Sequence, residues 1–421
     1  MTLEQLPRGT FEARPVLMVK FKYLRHPFQT ANAAKGMLAA RLNMWKFGAH
    51  GSKRYKNDPR FDLQNVTDGF ASHINDSTDD TKLLERICEA YIKSVEQQQF
   101  VSKAYEATEW WQQVRQRSLE PVITALQSRD IDRLRMMYRN FFRDPCSAGL
   151  LGVPFGMSKA YFGGKIKDFH RRFYLSHALY RLDYWKAQTD GRFELQDLAS
   201  PEIGNPFGIR VNGTFVRVGS EYAHCCASRI CDFLESRSAT VVEIGGGFGG
   251  MAYYLLRDHA DVTYLNFDLP ETIALSSYYL LRSFPHLRFL LYGEQELTKE
   301  AIEHVDVILM PVFELKNAPK ESVDVTFSSH AMSDISSEAL IEYMSHIARI
   351  TRRAFLYIGN STAKKSISDL VAQNHQSFQL KAVRPSGWHS HKVSGAGVGG
   401  AAGVATSTMF EQCFVRTDPG S

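Results

Sequence analysis

VVEIGGGFGG, at residues 241–250, is the most informative segment of the sequence. It joins a short run of apolar residues to closely spaced glycines, and residues 249–258 suit a helix. A buried strand, a tight glycine turn and a helix, in that order, are typical of the first unit of a parallel α/β sheet.

The chain after this stretch continues to alternate between apolar strands and helices. The further predicted strands are VTYLNFD (262–268), VDVILMPVF (305–313), VDVTFSS (323–329), AFLYIG (354–359) and TMFEQCFVR (408–416). A helix is predicted after Pro270 and another at 337–350, where Ser336 suits the N-cap. LRFLLY at 287–292 fits either a strand or a loop. The pattern predicts an α/β fold, a Rossmann-like sheet with helices on both faces.

The chain before residue 206 has a different, mainly helical pattern. Apolar residues recur at helical spacing along one predicted face: Leu84, Ile87, Cys88, Tyr91 and Val95. Further helices are predicted at 104–128, 129–143 and 166–187, and a long surface loop at 50–80. We therefore predict a helical domain at 1–205, which covers the ligand cleft and contributes substrate contacts, and a Rossmann-like domain at 206–421.

Composition excludes several classes of protein. The 421 residues are 44% hydrophobic, with a net charge of +5 and six cysteines that form no CxxC pair. These values predict a globular protein with no zinc or other metal site. No stretch approaches the roughly 20 apolar residues of a membrane span, and the N-terminus lacks a signal-peptide pattern, so a cytoplasmic location is predicted.

Lys165, Lys167, Arg171 and Arg172 form a basic cluster. The cluster fits a solvated helix face better than a site for an anionic partner, and it predicts no nucleic-acid partner. The sequence leaves a homo-oligomer open.

The glycine turn is the natural place for a ligand, because parallel sheets bind ligands at the carboxyl ends of their strands. Gly245, Gly247 and Gly249 permit a sharp turn and a close approach to a ligand. With Gly250 in place of Gly249, the same segment also satisfies GxGxxG, the dinucleotide fingerprint. The turn alone therefore leaves two cofactor classes open.

Two acidic residues beside the turn bear on this choice. Glu243 lies two residues before the first glycine, where a carboxylate favours a cofactor with a cationic amino-acid end and offers nothing to a pyrophosphate. Asp268 ends the next strand, where it suits two ribose hydroxyls of either cofactor. Together these residues favour the cofactor with the amino-acid end.

The turn together with FDLPET (267–272) resembles class I S-adenosylmethionine-dependent methyltransferases. The order of four segments is similar to that in sugar O-methyltransferases: EIGNPFG (202–208), EIGGGFGG (243–250), DLPETIALSSYYL (268–280) and SSHAMSD (328–334). The resemblance covers about residues 200–360. It implies a class I methyltransferase fold, S-adenosylmethionine as cofactor, and a small-molecule acceptor that contains a sugar.

The resemblance also implies roles for individual residues. Gly245, Gly247 and Gly249 would line the methionine part of the cofactor above Glu243, and Phe248 would be a further cofactor contact. Asp268 would hold the ribose, and Leu269 and Phe313 would contact adenine. Ser328, Ser329 and Asp334 stand where the family usually has Asn-Ser, a Ser and then a Glu.

A hydroxyl acceptor needs a general base, and three residues are candidates: His330, Asp334 and His224. The ordinary pKa of an imidazole suits the task best, and Asp334 can alternatively cap the helix that follows. Asn205 is expected to order a turn. Three alternatives remain open: a methyltransferase for another small molecule or a peptide-derived natural product, a non-catalytic cofactor-binding scaffold subunit, and a nicotinamide dehydrogenase.

Overall fold

The structure is a computed structural model that describes residues 27–74, 79–151, 166–234, 238–333, 335–360, 367–374, 377–389 and 409–417. Its helices are α1 (Pro27–Arg54), α2 (Gln64–Gly69), α3 (Thr81–Gln98), α4 (Glu109–Val114), α5 (Glu120–Ser128), α6 (Ile131–Tyr138), α7 (Asp168–Gln188), α8 (Ser220–Cys231), α9 (Gly250–Asp258), α10 (Pro270–Ser283), α11 (Lys299–His304), α12 (Ser337–Ile350) and α13 (Ile367–Asn374). Its strands are β1 (Gly208–Val211), β2 (Thr214–Arg217), β3 (Ala239–Ile244), β4 (Val262–Asp268), β5 (Phe289–Leu291), β6 (Val307–Pro311), β7 (Val323–Ser329), β8 (Thr351–Asn360), β9 (Phe378–Pro385) and β10 (Met409–Arg416).

The described strands form an eight-stranded sheet and a separate hairpin of β1 and β2. The order in the sheet is β5-β6-β4-β3-β7-β8-β10-β9. The strands from β5 to β8 pair in parallel, and β10 runs antiparallel to both of its neighbours. Chain order reverses between β3 and β7, which places a ligand crevice at the carboxyl ends of these strands.

The central strands are buried on both faces. Val241 contributes to one hydrophobic cluster and the next residue, Val242, to the other. Tyr264 and Leu265 on β4 divide in the same way, as expected when successive strand side chains point to opposite faces. The predicted Rossmann-like α/β sheet, covered by helices on both faces and preceded by helices, is confirmed.

Several predicted elements occur at their predicted residues. The strands at 262–268 and 323–329 and the helix at 337–350 have the predicted bounds. The Ser336 hydroxyl caps that helix by accepting a hydrogen bond from the Ala339 amide at 3.1 Å. The ambiguous stretch at 287–292 contains the short edge strand β5.

The prediction of a long surface loop at 50–80 is wrong, because α1 continues to Arg54 and α2 occupies part of the stretch. Val66 is buried, and a Cβ on Gly69 would lie 2.3 Å from the carbonyl oxygen of Gly208. Packing of α2 against the β1–β2 hairpin stabilises a helix whose polar sequence carries little periodic signal.

Helix α3 packs against α10 and α7 packs against α8, so the N-terminal helices share the core on this face of the sheet. One continuous hydrophobic cluster includes Leu84, Leu126 and Leu179 together with Val241 and Tyr264. The predicted boundary at 205/206 stays a prediction.

Candidate functional site

A cleft of about 530 Å³ lies at the carboxyl ends of β3, β4 and β7. Its floor is formed by residues 243–247 and 268–269. Its wall comes from the helical region and is lined by Trp110, Trp111, Leu150, His177 and Arg181. The helical region therefore lines one side of the cleft, and its predicted role as a cover for the ligand stays a prediction.

The glycine turn forms the centre of the floor, and its glycines have different surroundings. Gly245 has φ 79°, and a Cβ on it would lie 2.0 Å from the Cβ of Ala331, so the turn packs closely on that residue. Gly247 has φ 58°, and the nearest atom to its Cβ position is Leu150 Cδ2, at 3.9 Å. The backbone at Gly247 therefore faces the open space of the cleft.

Two carboxyl groups flank this turn: Glu243 is buried, and Asp268 is partly exposed at the cleft. Asp268 accepts hydrogen bonds from the amides of Gly247 (3.0 Å) and Leu269 (2.7 Å), and it thereby ties the turn to the end of β4. Glu243 accepts a hydrogen bond from the Tyr264 hydroxyl at 2.5 Å. Burial raises the pKa of Glu243 to about 7 and that of Asp268 to about 7. The floor is thus suited to a ligand that brings positive charge and hydroxyl donors.

The predicted cofactor contacts divide into two groups. The cleft is lined by Glu243, Gly245, Gly247, Phe248, Asp268 and Leu269. Gly249 instead packs against α10, where its Cβ would lie 3.0 Å from Leu280 Cγ. Phe313 is fully buried with its ring 5.5 Å from that of Tyr292, and Val312 lines the cleft in its place. The assignment of Gly249 and Phe313 to the ligand surface is therefore corrected.

His330 lies at the end of β7 and lines the cleft. Its backbone has φ 66°, a left-handed conformation uncommon for a residue with a side chain, and its amide donates to the Ile358 carbonyl at 2.7 Å. Such an outlier at a ligand site is a reason to consider a functional role. The hydroxyls of Tyr222 and Ser329, which also line the cleft, are hydrogen-bonded to each other at 2.6 Å.

Of the other two catalytic candidates, one lies outside the cleft and one lies outside the described residues. His224 is buried beneath Trp185, whose Nε1 donates to His224 Nδ1 at 3.2 Å, and burial lowers the pKa of His224 to about 4. His224 is absent from the cleft lining, so its interpretation as a catalytic residue is corrected to that of a core residue. Asp334 lies outside the described residues.

Asn205 orders a turn, as predicted. It has φ 54°, its side-chain oxygen accepts from the His73 amide at 2.9 Å, and its Nδ2 donates to Asn140 Oδ1 at 2.8 Å. These bonds join the segment before β1 to two parts of the helical region.

Two parts of the site were missed by sequence reasoning. Asn266 Oδ1 accepts from the Gly246 amide at 3.1 Å, so it supports the turn from below. A signal for it exists in the strand, since polar groups alternate at positions 264, 266 and 268 and must share one face. The wall residues carry no comparable sequence signal, because they come from segments that are far apart in the chain.

The wall is anchored to the floor through α10. Glu271, in the first turn of that helix, accepts hydrogen bonds from Trp111 Nε1 at 2.6 Å and from Arg115 Nε at 2.6 Å. Trp110 is half exposed at the rim, whereas Trp111 is buried. A second buried ion pair joins Arg181 to Glu221 at the start of α8.

The two arginines of the basic cluster lie away from the cleft, and Lys165 lies outside the described residues. Arg171 pairs with Asp168 at 3.1 Å, Arg172 bonds to Ser52 Oγ at 3.4 Å, and neither lines the cleft. Within the described ranges, no three His, Cys, Asp or Glu side chains are grouped to hold a metal ion. Among the helices described, none is long and apolar enough to cross a membrane.

Comparison with known proteins yields fold likenesses alone. No family model and no curated protein matches the sequence. Mitomycin 7-O-methyltransferase aligns with 48% of this chain at 14% identity and a TM-score of 0.31, and the match spans only 56% of its own length. Magnesium protoporphyrin IX methyltransferase from Synechocystis, with bound S-adenosylmethionine, aligns with 57% of this chain and 97% of its own, at 11% identity and TM-score 0.31.

A TehB-like S-adenosylmethionine-dependent methyltransferase from Corynebacterium glutamicum aligns with 57% of this chain and 99% of its own. Its identity to this chain is 12%, and the TM-score is again 0.31. Likeness at this level establishes no activity, so the case for a function rests on the residues of the cleft.

Proposed function

We propose that the protein is an S-adenosylmethionine-dependent methyltransferase that acts on a hydroxyl of a small molecule containing a sugar. The observation that carries the proposal is the floor of the cleft. There a glycine turn, hydrogen-bonded to Asp268 through the Gly247 amide at 3.0 Å, lies beside the buried carboxyl of Glu243.

The residues of the floor fit this cofactor. Asp268 stands at the end of β4, where its carboxylate can accept from two ribose hydroxyls, and Leu269 and Val312 offer an apolar surface for adenine. Glu243 and Asp268 supply negative charge to a ligand with an ammonium and a sulfonium group. The pyrophosphate of a nicotinamide cofactor would instead face both carboxyl groups, which disfavours the dehydrogenase alternative.

The chain's own groups have three tasks once the cofactor supplies its sulfonium methyl group. The cleft must align the acceptor oxygen with that methyl group, since alignment provides much of the acceleration. His330 accepts the proton of the acceptor hydroxyl, for which an imidazole is well matched. Trp110 and Trp111 limit the access of water from the side of the helical region.

The proposal of a sugar-containing acceptor rests on the sequence resemblance and on the residues of the wall. The sequence segments at 202–208 and 328–334 support a sugar-containing substrate, and the half-exposed Trp110 offers a flat apolar surface at the rim. The runner-up acceptors are another small molecule and a peptide-derived natural product. A cytoplasmic location, and the alternative of a scaffold subunit that binds the cofactor without turnover, stay predictions.

Mass spectrometry of acceptor pools incubated with the protein and S-adenosylmethionine carrying a labelled methyl group tests the proposal. We expect the label on an oxygen of a sugar-containing metabolite. A label on nitrogen or carbon would refute O-methylation. Binding of the cofactor without transfer to any pool would favour the scaffold alternative.

A further inference from the structure

Helix α1 carries an exposed apolar stripe that the proposed reaction leaves without a role. Leu38 is 69% exposed, Leu42 48% and Trp45 59%. The spacing of i, i+4 and i+7 places these three side chains on one side of the helix, and the described part of the chain leaves about half or more of each exposed. Single exposed apolar residues are ordinary, but three large ones in a row mark an interaction surface.

A different side of α1 makes the contacts that hold the helix on the fold. The Phe47 ring lies 5.3 Å from that of Phe173 on α7. A Cβ on Gly48 would lie 3.1 Å from the backbone nitrogen of Phe173, so the two helices approach each other closely here. Since α1 packs on α7 through this side, the apolar stripe is left available to a partner.

Basic residues border the apolar stripe on both sides. The 28 residues of α1 include no Asp or Glu. At about 100° per residue, Lys46 and Lys53 lie on one flank of the stripe and Arg41 lies on the other. All three side chains are exposed. Apolar side chains between two basic flanks are typical of a helix that lies in the interface of a membrane.

The start of α7 extends this positive surface. Lys167 and Arg172 are exposed, and Arg172 Nη1 donates to Ser52 Oγ on α1 at 3.4 Å. Burial, together with the nearby charges of Lys167 and Arg41, lowers the pKa of His170. The basic cluster of α7, which the sequence predicts as a solvated helix face, therefore joins the basic residues of α1 in one surface.

The combination of aliphatic side chains and positive charge distinguishes between three kinds of partner. A nucleic acid would use the charges, but Leu38 and Leu42 offer its bases neither an aromatic ring nor a hydrogen bond. A second copy of the chain would bring the same positive charge to the stripe, and like charges oppose such an interface. An anionic lipid surface uses both features, because its headgroups attract the basic side chains and its acyl chains accept the apolar ones.

We infer that α1 and the start of α7 form a docking surface for an anionic membrane, on which α1 lies flat. Leu38, Leu42 and Trp45 enter the boundary between headgroups and acyl chains, a position that suits an indole ring. The basic side chains of both helices contact the headgroups. Asp168, an acidic side chain at the start of α7, is already paired with Arg171 at 3.1 Å.

Sedimentation of the whole chain with lipid vesicles tests the docking surface. One set of vesicles contains phosphatidylcholine alone, and in the other about a third of the lipid is anionic phosphatidylglycerol. We expect the wild type to partition into the anionic vesicles at least about 30-fold more strongly than into the neutral ones. Salt at about 0.5 M should remove most of this difference, because it screens the charges.

The double variant Arg41→Glu/Lys46→Glu tests the basic flanks of the stripe. Its partitioning into anionic vesicles should fall roughly 30-fold or more, because two attractive charges become repulsive. Lys82→Glu/Lys299→Glu is the matched control, with the same net charge. Both of its positions are exposed and lie in the first turns of α3 and α11, where a glutamate suits the helix. The control should partition within about threefold of the wild type.

Trp45→Ala tests the apolar part of the surface. Partitioning into anionic vesicles should fall at least about fivefold, because the indole ring no longer enters the lipid. Phe100→Ala is the matched control, since Phe100 is 77% exposed but lines a separate cleft together with Glu96 and Glu294. Its partitioning should equal that of the wild type.

Equal binding of the wild type to neutral and anionic vesicles, or equal losses in the double variant and its control, would overturn the docking surface. Sedimentation velocity without lipid measures self-association. A wild-type dimer that Trp45→Ala converts to a monomer, with no binding to vesicles, would assign the stripe to a second copy and also overturn it. Binding of single-stranded RNA that Arg41→Glu/Lys46→Glu abolishes, again with no binding to vesicles, would do the same.

Discussion

The floor of the cleft consists of two short segments at the ends of β3 and β4, which follow one another in the chain. The wall gathers residues from α4, α7 and the segment that contains Leu150. The floor is held by backbone geometry: positive φ at the glycines and amides donated to Asp268. The wall is held by side chains, chiefly Glu271 with Trp111 and Arg115. A floor made of backbone tolerates little change, while a wall made of side chains can vary with the acceptor.

The largest effect on cofactor binding is expected from Gly247→Leu, a substitution in the floor. The added side chain has space, with the nearest atom 3.9 Å from the Cβ position, but it projects into the cleft. We expect the affinity for S-adenosylhomocysteine to fall at least about a hundredfold, while the positive φ costs roughly 1–2 kcal/mol of stability. Calorimetry and thermal unfolding measure the two effects.

Gly213→Leu is the matched control for this strain, because Gly213 has φ 81° in the β1–β2 turn and no atom lies within 4 Å of its Cβ position. It should show a similar loss of stability and no loss of affinity. Equal affinity in both variants would mean that the turn does not bind the cofactor.

Replacement of His330 should affect turnover and spare cofactor binding. His330→Asn removes the base, and asparagine tolerates the left-handed backbone found at this position. We expect kcat to fall by roughly 10²–10⁴, with the affinity for S-adenosylhomocysteine within about threefold of wild type. Turnover that stayed at the wild-type level would leave His330 without a catalytic role.

The affinity for S-adenosylhomocysteine should depend on pH, because the pKa values of the two carboxyl groups at the turn are raised. Since the pKa of Glu243 and that of Asp268 are each about 7 in the free protein, both groups are largely neutral at pH 6 and largely ionised at pH 8. A cationic ligand prefers the ionised form, so affinity should rise with pH by roughly tenfold for each coupled carboxyl over this interval. Glu243→Gln should flatten the profile, and a profile that falls with pH would contradict the assignment.

The smallest effect is expected at the rim of the wall. Trp110 is 52% exposed, so Trp110→Ala should change stability by no more than about 0.5 kcal/mol. We expect KM for the acceptor to rise severalfold at constant affinity for S-adenosylhomocysteine. Lower affinity for S-adenosylhomocysteine with an unchanged KM for the acceptor would instead mean that Trp110 contacts the cofactor.

The same contrast explains what the sequence could predict. The strands 262–268 and 323–329 were predictable because runs of apolar residues end there at clear breaks. Strand β9 was not predicted, although Phe378, Leu380 and Ala382 alternate with polar residues there, and all but its first residue are exposed. Phe313 was misplaced because a 3₁₀ turn begins at Val312, directly after β6, and ends the alternation that the prediction extended.

His224 shows the limit of local patterns most clearly. A histidine near the glycine turn in sequence suits catalysis, and only the packing of Trp185 and Tyr254 on it reveals a core residue.

Calorimetric titration of the unmodified protein with S-adenosylhomocysteine and, separately, with NAD tests which cofactor the floor of the cleft binds. We expect saturable one-to-one binding of S-adenosylhomocysteine that tightens from pH 6 to pH 8, and no measurable binding of NAD. Saturable binding of NAD without binding of S-adenosylhomocysteine would contradict it.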